Sequence, residues 1–152
     1  MPNDKLESIK IVPRVDSPLY PGKHPKDNDK INEAIRELEQ IDSRIKERAQ
    51  KEINSTMGWW DRVKWARGII KEYAPQFVER AAGWETMSNE EKKEAVTDML
   101  LFIVKILEKY VNIIPGYMEA FAWMIIKRNI SKIIETAYSA FKSKRKEATL
   151  NA

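Results

Sequence analysis

Three tryptophans and three basic side chains lie within eleven residues, in the stretch GWWDRVKWARG at 58–68. Tryptophan is enriched in protein interfaces, and its ring also stacks on nucleotide bases. Arginine and lysine bind phosphate groups. The stretch is therefore either a recognition surface or one turn of an ordinary helix core, and the helix that carries it decides which side chains a partner can reach.

A helical wheel separates the three tryptophans. Trp59 shares a face with Ala66 and other apolar residues, so we expect it in the core. Trp60 lies at the flank of that face, and Trp65 lies across the helix, close to Gly68, whose missing side chain leaves room for another element. We expect Trp65 to be covered by the N-terminal segment, by the first helix, or by a partner. That partner is another subunit, a membrane surface or a nucleic-acid base.

A second basic cluster lies near the C-terminus, where Lys142, Lys144, Arg145 and Lys146 fall within five residues. Residues 127–152 carry a net charge of +5, whereas the whole chain carries +4. The preceding 126 residues therefore have a net charge near −1. These cations suit the end of a helix, where they are simply solvated. They are also our candidate contacts for phosphates of nucleic acid or of anionic lipid headgroups.

Acid–base and metal chemistry have few candidates. His24 stands alone between two prolines, so we expect a flexible side chain without a partner. Carboxylates are expected on helix exteriors, Asp42 and Asp98 among them; Glu119, in an apolar segment, is either a bonded or helix-start residue or a general base. The sequence lacks the HExxH, Walker, GxGxxG, GxSxG and EF-hand patterns. We therefore expect no enzymatic activity, no cofactor, no metal and no small-molecule substrate.

Composition favours one helical domain. The 152 residues are 43% hydrophobic and 33% charged, with five glycines and no cysteine. No secretory signal peptide is visible, and the most apolar stretch, 99–126, is interrupted by four charged residues. We expect a protein without a membrane span that resides in the cytoplasm, or in a virion if it is phage-encoded.

Five of the seven prolines fall within residues 1–27, which predicts an extended arm. Because the arm also carries apolar side chains, including Leu19 and Tyr20, we expect it to dock on its own domain or on a neighbour. The predicted organisation is an arm at 1–27, a helical bundle at 28–146 and a short tail at 147–152. The candidate protein contacts are Leu19, Tyr20, Trp60, Trp65 and Gly68.

Hydrophobic spacing predicts an all-α fold of about four helices. The first runs from residue 27–29 to 54, with a narrow apolar stripe that lies either on the bundle or on a second chain. The second is capped by Ser55 or Thr56, is bent or ended by Pro75, and continues to Gly83. The third begins at the capping box of Ser88 and runs to about 114, and the last spans 117–144. We expect the third and fourth helices to form the core hairpin, with 117–126 inside the bundle.

Two segments carry a family resemblance: SNEEKKEAV at 88–96, a capping segment that starts a helix, and IIETAYSAF at 133–141, part of a terminal helix. With them, residues 84–141 resemble the soluble C-terminal part of phage holins of the LL-H type. A membrane span precedes that part in such holins, whereas here the N-terminal end is Pro-rich and charged. The resemblance implies a phage or prophage origin and does not imply pore formation.

These observations favour a non-catalytic structural or scaffolding protein, such as a phage virion or accessory component, that binds protein neighbours as a homo- or hetero-oligomer. A membrane-surface or holin-like lysis accessory protein is the first alternative. A nonspecific nucleic-acid-binding module that uses the basic C-terminal end is the second.

Overall fold

The computed structural model describes residues 11–113 and 119–150, with side chains from 124 to 149 in the last helix. The described residues contain four α-helices and no strand, so the predicted all-α fold is confirmed. A 3-10 turn at Pro25–Asp27 precedes the first helix. The helices are α1 (Asn28–Glu52), α2 (Trp59–Ala82), α3 (Asn89–Val111) and α4 (Glu119–Leu150).

The four helices alternate in direction, as the contacts between consecutive helices show, and α3 packs against each of the other three. The most extensive packing joins α2 to α3, whereas α4 packs more on α2 than on α3. The third and fourth helices do pack against each other, as predicted, but the core is formed mainly where α2 packs on α3 and not by the α3–α4 hairpin. Ion pairs connect α1 to α2: Arg48 Nη1 lies 2.7 Å from Glu72 Oε2, and Arg80 pairs with Glu37.

The start and end of α3 follow from local sequence. The predicted capping box is confirmed, because the Ser88 hydroxyl accepts the Glu91 amide at 3.2 Å and the Glu91 carboxylate accepts the Ser88 amide at 3.2 Å. Asn112, at φ 54°, ends the helix in the left-handed conformation that asparagine tolerates. Between these ends α3 buries ten residues: Ala95, Val96, Asp98, Met99, Leu100, Ile103, Val104, Ile106, Leu107 and Val111.

The narrow stripe of α1 is buried within its own chain, which selects the bundle over pairing with a second chain. Its five predicted residues are each at most 2% exposed: Ile31, Ala34, Leu38, Ile41 and Ile45. The second helix begins later than predicted, because Gly58, rather than Ser55 or Thr56, precedes its first turn. Pro75 does not end the helix, which runs to its C-cap at Gly83 as predicted.

The first described side chains of α4 are more exposed than predicted. Met124 is 70% exposed and Ile125 is 44% exposed, so this part of 117–126 does not lie inside the bundle. Glu119 and Trp123 belong to residues whose side chains lie outside the described part. The helix also continues to Leu150, through the boundary that we predicted between bundle and tail at 146.

The described part of the arm, residues 11–27, docks on its own domain along the first half of α3. The Ser17 hydroxyl donates to Asp98 Oδ2 at 2.6 Å, and Arg14 Nη2 lies 3.1 Å from Asp98 Oδ1. Leu19 is fully buried, so the prediction that it contacts a partner is wrong, whereas Tyr20 remains 38% exposed. Asp98, which we predicted on the helix exterior, is buried because the arm covers it.

Asp27 fixes the connection between α2 and α3. Its carboxylate accepts the backbone amides of Glu85 and Thr86, at 3.2 and 3.0 Å, and the Thr86 hydroxyl at 2.5 Å. Burial acts to raise the pKa of Asp27, but these hydrogen bonds and nearby Lys30 outweigh burial and lower it. The ionised carboxylate is therefore the form that the fold stabilises.

Replacement of Leu19 by alanine tests the docking of the arm. Because Leu19 is fully buried, we expect Leu19→Ala to lower the free energy of unfolding by about 2–4 kcal/mol, measured by urea denaturation. Tyr20→Ala is the matched control in the neighbouring, exposed position and should cost less than about 1 kcal/mol. Equal effects of the two variants would contradict the docked position.

Acid should weaken the Asp27 connection in a defined direction. The folded-state pKa of Asp27 lies below the unfolded value of about 3.9. Asp27 therefore makes its full contribution to the free energy of unfolding when the pH is above the unfolded value. This contribution is lost as pH falls through the folded-state pKa. We expect Asp27→Asn to lower stability at neutral pH by about 1–3 kcal/mol and to flatten the decline between about pH 5 and pH 2. Urea midpoints measured across this range, with exposed Asp29→Asn as control, test both effects.

Candidate functional site

Two adjacent tryptophans are exposed where α2 begins. Trp59 is 53% exposed and Trp60 is 56% exposed, and their ring centroids lie 6.1 Å apart. Lys64 Nζ lies 5.7 Å from the centre of the Trp60 ring. The Trp59 indole donates to the carbonyl oxygen of Ile113 at 2.5 Å, which places the start of α2 beside the end of α3.

The prediction that Trp59 is a core residue is wrong. Trp59 lies on the same face of α2 as Ala66, but the residues of that face are buried only from Ala66 onward, with Val63 partly buried. Among the described residues, none buries the Trp59 ring, although its indole bonds the carbonyl oxygen of Ile113. Trp60, which we predicted as a contact residue, is exposed as such a role requires.

Trp65 is partly buried and packs against the core. Its indole nitrogen is buried and has no hydrogen-bond partner among the described residues. Glu72, two turns further along the same face, accepts the guanidinium of Arg48, so this face of α2 looks toward α1. The surroundings of Gly68 are open: a side-chain carbon added there would meet nothing within 4 Å in the described chain.

A basic groove runs between α2 and α4. Its first part, of about 380 Å³, is lined by Arg67 and Lys71 of α2 and by Lys132 of α4. Its second part, of about 370 Å³, is lined by Lys144 and Arg145 of α4. Both parts share the small or rigid residues Pro75, Ala137 and Ala140, and Ala74 also lines the first part.

The structure divides the predicted C-terminal cation cluster. Lys144 and Arg145 line the basic groove, whereas Lys142 and Lys146 lie about 160° around the helix from Lys144. All four are exposed. Sequence reasoning missed Arg67, Lys71 and Lys132 as members of the same surface. The spacing of Arg67 and Lys71 marks one face of α2, but nothing in it shows that α4 packs alongside.

His24 is held in place, so the prediction of a flexible side chain without a partner is wrong. Its Nε2 lies 2.7 Å from Glu91 Oε2, and the side chain is 12% exposed. The other Glu91 oxygen closes the capping box of α3. The Ser88 amide and His24 lower the pKa of Glu91 against the opposing effect of burial.

Three buried carboxylates contradict the prediction that acidic side chains lie on helix exteriors. Asp27 and Asp98 hold the N-terminal segment, as described above. Asp42 accepts the Tyr110 hydroxyl between α1 and α3, and Lys109 Nζ lies 3.8 Å away. Burial and the Asp42 carboxylate raise the pKa of Tyr110 above its ordinary range. Each of these carboxylates connects two elements of the fold.

In 11–113 and 119–150, no group of three or more His, Cys, Asp or Glu side chains is arranged to hold a metal ion. None of the helices described combines the length and apolar character required to cross a bilayer. Comparison of the chain with protein families, curated proteins and solved structures found no match.

Replacement of Gly68 by alanine tests whether the face around it is free. Because the space beside Gly68 is open and α2 is helical there, Gly68→Ala should raise the free energy of unfolding by about 0.5–1 kcal/mol. Gly22→Ala is the contrasting control: at φ 94° it should lower stability by about 1–2 kcal/mol. Thermal unfolding of both variants measures the difference, and destabilisation by Gly68→Ala would mean that another element fills this space.

Proposed function

We propose that the protein is a non-catalytic assembly protein that self-associates through its tryptophan end. We define the tryptophan end as Trp59, Trp60, Met124 and Ile125, in the first turns of α2 and α4. The observation that carries this proposal is the exposure of two adjacent tryptophan rings, each more than half accessible.

Exposure of these side chains is costly in water. A tryptophan buries about 150–250 Å² in an interface, and each square ångström of apolar surface removed from water contributes about 25 cal/mol. Met124 is 70% exposed and adds a flexible apolar side chain of the kind that interfaces favour. Because α2 and α4 run in parallel, their first turns lie at the same end of the bundle.

The edge of this surface is complementary to itself in charge. Asp61 and Lys64 are both exposed in the first turns of α2, beside Trp60. In a two-fold dimer, the same surface of both copies meets, so Asp61 of one copy can face Lys64 of the other. A second copy of this chain is therefore the partner that we propose.

The titratable groups described above support a non-catalytic role. His24 and Glu91 hold the N-terminal segment at the start of α3, and Asp42 connects α1 to α3. Each of these side chains is hydrogen-bonded or ion-paired to another side chain of the fold, and these contacts stabilise the folded chain. Proton transfer in catalysis instead requires groups placed within reach of a bound substrate.

Light scattering coupled to size exclusion tests the proposal. As protein concentration rises, we expect the mass of the wild type to increase from 17.8 kDa toward twice that value. Trp60→Ser/Met124→Ser should remain at the mass of one chain, because it removes exposed apolar surface from both helices. Circular dichroism confirms that the variant is folded.

Val12→Ser/Val15→Ser is the matched control, since these two valines are 75% and 76% exposed on the N-terminal segment. This control should associate as the wild type does. A wild type that stays monomeric at every concentration, or equal association of both double variants, would contradict the proposal. Flotation of the wild type with lipid vesicles, lost in Trp60→Ser/Met124→Ser, would assign the tryptophan end to a membrane surface instead.

A further inference from the structure

We infer that the basic groove between α2 and α4 binds the phosphodiester backbone of a single-stranded nucleic acid. The inference uses the five groove cations and not the tryptophan end, so it stands independently of self-association. The groove cations are Arg67, Lys71, Lys132, Lys144 and Arg145.

The two helices that form the groove run in the same direction. Arg67 and Lys71 of α2 lie opposite Lys132 of α4, and further along both helices Glu79 lies opposite Lys144. Cations therefore follow one another over about 20 Å along the α4 wall, from Lys132 to Arg145, and over about 6 Å along the α2 wall, from Arg67 to Lys71. A polymer that carries one negative charge per residue along its length matches this row of cations.

The positive charge of the groove is not neutralised by ion pairs among the described residues. None of the five cations forms an ion pair among the described residues, in contrast to Arg48 and Arg80, which do. Glu79 is the acidic side chain among the described lining residues. Glu72 and Glu135 belong to the same helices but bond Arg48 and Lys93, away from the groove.

The shape of the groove favours a single strand. Axes of packed helices lie about 8–10 Å apart, so a duplex can touch only the rims of the groove, while a single backbone can lie between the walls. The small residues at the centre, Ala74, Ala137 and Ala140, leave space for that backbone. Binding along phosphates without contacts to base edges predicts little sequence preference.

The test is fluorescence anisotropy with a labelled oligothymidine of about 20 nucleotides, longer than the roughly 4–16 that single-strand-binding grooves cover. We expect the wild type to bind this probe with an affinity that falls steeply with salt. Arg67→Gln/Lys71→Gln/Lys132→Gln should bind roughly tenfold more weakly or worse. Its salt dependence, as the slope of log K against log salt, should be shallower by about 2, because each phosphate contact on a single strand contributes about 0.7.

The matched control is Lys26→Gln/Lys51→Gln/Lys105→Gln, which removes the same number of charges from exposed positions outside the groove. Both triple variants have a formal net charge of +1, three below the +4 of the wild type. The control should bind clearly more tightly than the groove variant, since general charge attraction is lowered equally in both. Thermal unfolding checks that both are folded.

Several outcomes would overturn the inference. Equal loss in the two triple variants would mean that net charge and not the groove attracts the probe. Tighter binding of a duplex of the same length would exclude a strand between the walls. A third outcome would assign the cations to a lipid surface. In that outcome the groove variant no longer binds vesicles of anionic lipid, but it still binds the oligothymidine as well as the wild type does.

Discussion

The fold depends on covering α3 from three sides. Ten of its residues are buried, on more of its circumference than one neighbouring helix can cover. The close packing of α2 covers one side, and α1 and α4 cover others. The N-terminal segment completes the cover at the first half of the helix, where Asp98 holds it through Ser17 and Arg14. Without that segment, Asp98 would lose these partners and the apolar residues beneath Leu19 would face water.

Polar contacts set the position of the N-terminal segment, while apolar contacts supply most of the burial. Ser17, His24 and Asp27 each meet a partner on or just before α3, in reverse order along the chain. A buried hydrogen bond stabilises only when both partners are in place, so each contact fixes the register of the segment. This is why a proline-rich stretch, with regular structure only in its 3-10 turn at Pro25–Asp27, has a defined place on the bundle.

The two candidate surfaces arise where this cover ends. Among the described residues, Trp59 and Trp60 at the start of α2 and Met124 of α4 remain in solvent. Along the side, α2 and α4 approach each other through small residues, and their longer cationic side chains stand on either wall. The first surface is apolar and the second is charged, so they suit different kinds of partner. Both are proposed to act without changing the fold.

The sequence by itself determined the helices and much of the core. The spacing of Ile31, Leu38 and Ile45 and the capping box at Ser88 are local patterns, and each has one low-energy outcome along its own helix. Tertiary structure decided what depends on neighbours distant in the chain. It exposed Trp59, buried Asp98, partnered His24 and brought Arg67 beside Lys132, because burial and pairing are set by the element packed opposite, and no local spacing encodes that element.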